Sequence, residues 1–238
     1  MTTPLFRDDA YLRTCDAEVV GINDRGGIVL DRTVFYATGG GQPGDAGVLE
    51  LEDGTRIDIA TTVYDDDRAT IVHVPAEAQP KPEPGTRLTA HIDWPRRYRM
   101  MRVHTALHLL SVALPYPVTG GQIGDAEGRL DFDMGEETID RDMLVDKLNA
   151  LAGGDHEVTT EWITDTELDA NPGLVKTMSV KPPRGSGRVR LVRIGGGVDL
   201  QPCGGTHVAR TSEIGKLALG KVEKEGKQNR RVRIRLAD

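Results

Sequence analysis

The sequence predicts an α+β chain in which a small, all-β, barrel-like domain is followed by a domain that mixes helices with strands. Three observations predict it. Short β-branched runs separated by turn residues fill the first 93 positions, helical periodicity begins at Asp93, and helices and strands then intermingle to the end. At 238 residues, with 38% hydrophobic and 28% charged side chains, there is length for one large domain or two small ones.

The predicted strands of the first part are 18–22, 27–30, 47–51, 56–64, 69–74 and 87–92, a pattern that fits a small barrel or sandwich. Between them lie Asp24-Arg25-Gly26-Gly27, the glycine-rich segment 38–45, Asp53-Gly54, and a stretch with Pro75, Pro80, Pro82 and Pro84. At Asp93-Trp94-Pro95 the character changes. Asp is a good N-cap and Pro suits a first turn, and Met100, Val103, Leu107, Leu110 and Leu114 then recur at helical spacing, predicting a helix over 94–114. A second helix fits 139–152, with Leu144, Leu148 and Leu151 on one face and Gly153-Gly154 as its stop. Strands at 157–164, 188–194, 217–223 and 231–236 and a short helix near 165–170 complete the second part. The domains are therefore expected at 1–93 and 94–238.

No run approaches the roughly 18 apolar residues of a membrane span, and the start MTTPLFRDDAYLRT lacks the basic-then-apolar order of a signal peptide. Two cysteines, Cys15 and Cys203, are too few for a disulfide framework, which fits a reducing, cytoplasmic setting. The net charge of -7 is unevenly spread. From Lys176 onward there are 15 Lys and Arg against 5 Asp and Glu, so the end of the chain carries +10 and the first 175 residues -17. Such asymmetry suits a polyanion-facing surface or a solvated basic face. In 231–236 alternation would set Arg231, Arg233 and Arg235 on one side of a strand, a candidate phosphate-contacting surface.

The chemistry-bearing residues begin with His104-Thr105-Ala106-Leu107-His108, two imidazoles four apart on one helix face and within reach of a single ion. Alone, such a pair also occurs beside an ordinary core stripe. Cys203-Gly204-Gly205-Thr206-His207 adds a thiolate and an imidazole, with two glycines that would let the backbone turn tightly. Together they make a three-histidine, one-cysteine set suited to tetrahedral zinc, unless Cys203 is simply a packed thiol and His207 a loop histidine. No glutamate stands between His104 and His108, so the zincin peptidase pattern is absent. His73, His91 and His156 lack partner motifs and read as structural.

HTALHLL at 104–110, CGGTHVARTSEIG at 203–215 and TVFYATGGGQPGDAG at 33–47 resemble the editing region of alanyl-tRNA synthetase and its free-standing relatives, the AlaX proteins. TGGQ at 119–122, RLDFD at 129–133 and KEGKQNRRVRIRL at 224–236 extend the resemblance, which is to the medium form: a barrel-like domain followed by an editing domain of the threonyl and alanyl synthetase type, without an aminoacylation domain.

The resemblance implies a trans-editing hydrolase that removes serine, and in some members glycine, from mischarged tRNA(Ala). A pocket made for alanine cannot exclude smaller glycine and rejects an added hydroxyl only weakly, so a second site must sort the product. It implies one zinc ion on His104, His108, Cys203 and His207, with His104 and Cys203 among the catalytic residues together with Thr38 and Gln42. Thr38 would discriminate the serine hydroxyl, and Thr38, Gly40, Gly41 and Gln42 would bind the aminoacyl end. Without the resemblance Thr38 reads as a turn threonine. The zinc would either polarise a water or orient the aminoacyl-adenosine end. For tRNA the candidate contacts are Arg96, Arg97, Arg99, Arg102, 181–193 and 221–235, with Arg97 and Tyr98 also readable as helix surface. Aromatics, 4% of the chain, are too sparse for the sequence to name a residue that stacks on an unpaired base. Other readings are a non-catalytic zinc-stabilised RNA-binding module and a hydrolase of small esters unrelated to tRNA.

Overall fold

Apolar and polar residues alternate in the first part because its strands close on themselves. In the computed structural model, which describes residues 2–176, 187–226 and 228–237, the strands before the first helix are β1 (Thr3–Pro4), β2 (Thr14–Ile22), β3 (Ile28–Leu30), β4 (Arg32–Thr33), β5 (Gly47–Leu51), β6 (Arg56–Tyr64), β7 (Ile71–Pro75) and β8 (Arg87–Ile92). Six of them form a closed barrel in the order β2-β3-β7-β6-β5-β8, while β1 and β4 pair in parallel. In β6, Ile57 and Ile59 point inward and Arg56, Asp58 and Ala60 outward; Leu88, Ala90 and Ile92 of β8 do the same. With Val19, Ile28, Leu30 and Leu49 they make a continuous apolar interior.

One polar relay crosses that interior. His73 Nδ1 lies 3.0 Å from the Ile28 carbonyl, which can only accept, so Nδ1 carries the proton and Nε2 accepts from the Thr33 hydroxyl at 2.8 Å. Thr33 Oγ1 in turn accepts the Phe35 N–H. Burial pushes the His73 pKa down to about 4, against the Ile28 hydrogen bond, which raises it. The folded protein therefore resists a proton that the unfolded chain takes up below about pH 6.5. Stability is expected to fall as pH drops from about 6.5 to 4, by about 3 kcal/mol over that window. Denaturant titrations between pH 7 and 4 read the slope, and a slope unchanged in His73→Gln would refute the assignment.

The chain divides into two units, Met1–Tyr98 and Arg99–Asp238. Helix α1 (Trp94–Ala113) starts in the first and continues into the second. Asp93 caps it, its carboxylate accepting the Arg96 N–H at 3.1 Å. The unit boundary falls five residues beyond the change in sequence character at Asp93, because Arg97 belongs to the first unit's interior. Its side chain is fully buried and donates to Asp45, to the Val34 carbonyl at 2.7 Å and to the Ala10 carbonyl at 3.0 Å. Arg97 is thus neither helix surface nor available to a phosphate.

In the second unit the order continues with β9 (Val118–Ile123), β10 (Glu127–Asp133), α2 (Arg141–Gly153), β11 (Val158–Thr164), α3 (Asp165–Ala170), β12 (Arg188–Ile194), β13 (Asp199–Pro202), β14 (Leu217–Glu225) and β15 (Asn229–Leu236). Two antiparallel sheets result, β14-β15-β10-β9 and β11-β12-β13. Asp140 caps α2, and Thr164 with Glu167 forms a reciprocal capping box on α3. Leu168 of α3 packs on Val189 and Leu191 of β12, covering one face of the three-stranded sheet. The chain is mostly β with few helices and a closed six-stranded barrel, an α+β arrangement. No helix among the described residues is long and apolar enough to cross a membrane.

Candidate metal centre

Periodicity predicts an apolar stripe on α1, but the structure buries every residue from Val103 to Ser111. Inside this buried stretch the polar residues His104, Thr105, His108 and Ser111 recur at helical spacing. A polar stripe in an interior helix requires partners. They come from β13 and the segment after it, and His108 and His207 each gain an orienting hydrogen bond from a different neighbour.

The structure brings His104, His108, Cys203 and His207 together, their donor atoms all within 4.8 Å of one another. Cys203 Sγ is 3.4 Å from His104 Nε2 and 3.3 Å from His207 Nε2. Neighbouring donors of a tetrahedral zinc with ordinary Zn–N and Zn–S bonds lie about 3.3–3.6 Å apart, so the two separations from Cys203 fit such an ion and the residue types of the whole set suit it. The tautomers fit as well. His108 Nδ1 donates to Asp199 Oδ2 at 3.0 Å, which leaves Nε2 as a lone pair. Thr105 gives its hydroxyl proton to the Met101 carbonyl, so its oxygen accepts from His207 Nδ1 at 3.1 Å and from the Val208 N–H, freeing His207 Nε2.

Electrostatics follow from the crowding. Burial pushes the Cys203 thiol up, but the His104 and His207 rings outweigh it and hold the thiol well below its ordinary range. Burial and the neighbouring His104 push His207 down to about 3. Burial also opposes the charged form of His108, yet Asp199 and Cys203 prevail and raise it to about 9. Asp199, which burial alone would raise, is held at about 2 by His108, Lys176 and Gln201.

Asp199, Gln201, Lys176 and Thr105 are the supporting residues that the sequence reading omits. Gln201 Nε2 donates to Asp199 Oδ2 at 2.7 Å and to Ser111 Oγ at 3.3 Å, and Lys176 pairs with Asp199 Oδ1. The available signal is the alternation Asp199-Leu200-Gln201 just before Cys203, which puts both polar side chains on one face of a strand. Arg190, which falls in the 181–193 segment expected to contact tRNA, is instead buried and holds the ligand loop. Its guanidinium donates to the carbonyls of Cys203 at 2.9 Å and Gly205 at 3.0 Å, fixing the ligand loop from below the turn. Gly204 and Gly205 do not use the left-handed region, so the tight-turn argument for them fails; the loop is held by Arg190 and by the Gly205 N–H on Cys203 Sγ.

In the first unit, Gly39 and Gln42 exchange backbone hydrogen bonds across Gly40 (φ 57°) and Gly41 (φ 82°). Both central residues in the left-handed region define a type I′ turn, which is why glycine stands there. Thr38 is exposed; its hydroxyl donates to the Thr62 carbonyl at 3.1 Å and accepts the Gly44 N–H at 2.8 Å. Gln42 is buried.

The basic residues are less free than their count suggests. Alternation in β15 is as expected, with Val232, Ile234 and Leu236 buried. Yet Arg231 pairs with Asp131 and Glu225, Arg233 with Glu223, Arg193 with Glu161, and Arg99 with Asp125. Arg96 and Arg102 donate to the carbonyls of Gly44 and Ile214. Of the other candidate contacts, 181–186 and 227 lie outside the described residues.

Residues 12–96 match the family described as tRNA synthetases class II (A), and residues 189–233 match the threonyl and alanyl tRNA synthetase second additional domain. The second match contains the ligand loop and the first five residues of β15. The sequence is 34% identical to an alanyl-tRNA editing protein AlaX-M of Methanosarcina acetivorans over 100% of both chains, and 35% identical to that of Saccharolobus solfataricus over 98% of each. It is also 36% identical to an alanine–tRNA ligase of Pyrobaculum arsenaticum, covering 94% of this chain and 25% of the ligase. The chain belongs to the AlaX-M family of alanyl-tRNA editing proteins.

Proposed function

We propose that this protein is a trans-acting aminoacyl-tRNA deacylase that hydrolyses the ester linking serine to mischarged tRNA(Ala) in the cytoplasm, with glycine, which some members of the family remove, as a second candidate substrate. The carrying observation is the buried cluster of three histidines and a cysteine in a chain whose full-length relatives are named alanyl-tRNA editing proteins. On this reading residues 1–93 form a β-barrel-like domain with the glycine-rich motif, and 94–238 form the editing domain.

His104, His108, Cys203 and His207 would hold one zinc ion, which when bound supplies Lewis acidity and positive charge beside the ester. Water adds to the ester carbonyl, the bond to the terminal ribose oxygen breaks, that oxygen takes a proton, and free amino acid leaves. Thr38, Gln42, His104 and Cys203 act on the reacting end, and Thr38, Gly40, Gly41 and Gln42 hold the aminoacyl group. Thr38 has used its proton and one lone pair, so its remaining lone pair can accept a hydrogen bond from the serine hydroxyl. Alanine offers no such donor, a difference of about 1–3 kcal/mol, or roughly 5- to 150-fold.

The test is deacylation of Ser-tRNA(Ala) beside Ala-tRNA(Ala) by zinc-loaded protein. Release of serine at least roughly fivefold faster than alanine is expected. Binding of both tRNAs without release of either amino acid would overturn the hydrolase and leave a zinc-stabilised RNA-binding module.

A further inference from the structure

The chain has three Phe, five Tyr and two Trp, and Trp162 is the one exposed aromatic side chain among them, at 45%. It sits on β11, the edge strand of the three-stranded sheet. An indole left in water on an edge strand loses the burial that normally stabilises it and offers an open apolar plane.

Its position relates it to the metal cluster. Trp162 lies directly opposite Arg190 on β12, so the two side chains share one face of the sheet. Arg190 in turn accepts the Cys203 N–H on its carbonyl, and its guanidinium grips the Cys203 and Gly205 carbonyls. Trp162 on β11, Arg190 on β12 and Cys203, the residue that follows β13, therefore form one row, with the indole about two strand spacings, roughly 10 Å, from the thiolate ligand. Beyond Arg190 on the same face stands exposed Arg188, opposite Thr164. The opposite face is taken up by Ile163, Val189 and Leu191 under Leu168. On the Trp162 face Arg190, Val192 and Ile194 are buried and the Arg190 guanidinium is committed to the ligand loop, so at the open edge stand the indole and, diagonally across β12, the exposed Arg188, a combination that suits an unpaired base with its phosphate.

We propose that Trp162 is the stacking platform for an unpaired nucleotide at the 3′ end of the tRNA. The inference rests on the deacylase reading, since it assumes that the aminoacyl ester is brought to the cluster beside Cys203. The stacked base fixes the strand, and Trp162 acts on binding without touching the reacting bond.

The experiment compares the full-length zinc-loaded protein with Trp162→Ala and Trp162→Phe. With Ser-tRNA(Ala), Trp162→Ala is expected to raise KM roughly 5- to 100-fold while kcat stays within about twofold, and Trp162→Phe to restore most of the loss. The wild-type to Trp162→Ala ratio should change little with salt, because stacking releases no counterions. A single-stranded oligonucleotide ending in CCA should quench the fluorescence of the wild type, and Trp162→Ala, which retains Trp94, should lose that quench. Unchanged KM and unchanged quench in a folded Trp162→Ala overturn the platform while leaving the deacylase intact. Absence of deacylation by the wild type, with the Trp162-dependent quench still present, overturns the deacylase and keeps the base-binding surface. If Trp162→Ala instead loses kcat along with its thermal transition, the residue is structural and the proposal fails.

Discussion

Arg97→Ala should destabilise the first unit by about 3–5 kcal/mol, the range for removing one partner of a buried ion pair. The guanidinium is fully buried and its Nε lies 3.0 and 2.9 Å from the two carboxylate oxygens of Asp45. It also satisfies the Val34 and Ala10 carbonyls. Truncation leaves the Asp45 carboxylate, 1% exposed, with the Tyr36 N–H but without its counter-charge, and two carbonyls lose their donor. Arg97→Lys should be intermediate, because an ammonium keeps the charge but cannot reach four acceptors with a planar fork. Urea unfolding followed by circular dichroism gives the values. The double substitution of Arg97 and Asp45 should cost less than the sum of the singles, by roughly 0.5–3 kcal/mol. A single-variant loss below about 1 kcal/mol would mean that the pair is solvated in solution.

Arg97 also marks where the sequence stops being legible. In RRYRMMR the four arginines look alike, and local spacing cannot reveal that one of them meets a carboxylate 52 positions earlier. Each of the other three has its own fate: Arg96 and Arg102 on carbonyls, Arg99 on Asp125. A count of positive charge therefore overstates the surface available to RNA. The same holds in β15, where alternation was readable because it is local, while the carboxylates that neutralise Arg231 and Arg233 come from β10 and from β14. Strands without a clear pattern were missed for related reasons. β9 contains Gly120 and Gly121, which weaken a strand interior, and β13 is a four-residue segment holding Asp199 and Pro202, both poor strand formers alone.

The ligand set was readable because metal chemistry restricts residue type as well as spacing. His104 and His108 are one helical turn apart, and Cys203 and His207 are separated by the same number of residues in a loop. What was not readable is how they are held. Thr105 lies between the two histidines and looks like any helical threonine, yet it orients His207 from 102 positions away. Asp199 likewise orients His108 across 91 positions. Supporting contacts of this kind follow from the tertiary fold, so only the alternation in Asp199-Leu200-Gln201 hinted at them.

Those contacts define the largest expected effect on the centre. Cys203→Ala removes one of four donors. If each contributes about a quarter of the roughly 10–16 kcal/mol typical of a structural zinc site, affinity should fall roughly 100- to 1000-fold. Asp199→Asn keeps all four donors but weakens the charge that fixes the His108 tautomer and leaves Lys176 without its partner, and should cost about 10- to 100-fold. Competition with a chromophoric chelator separates the two, and cobalt substitution adds a spectroscopic readout of the donor set. The cobalt–thiolate charge-transfer band should vanish in Cys203→Ala and persist, at higher cobalt concentration, in Asp199→Asn. Wild-type zinc affinity in Cys203→Ala would show that the thiolate is not a ligand. The close Sγ to Nε2 distances would then reflect a hydrogen-bonded cysteine among histidines, and the ion would rest on the three histidines alone, a donor set that still supports metal-dependent hydrolysis.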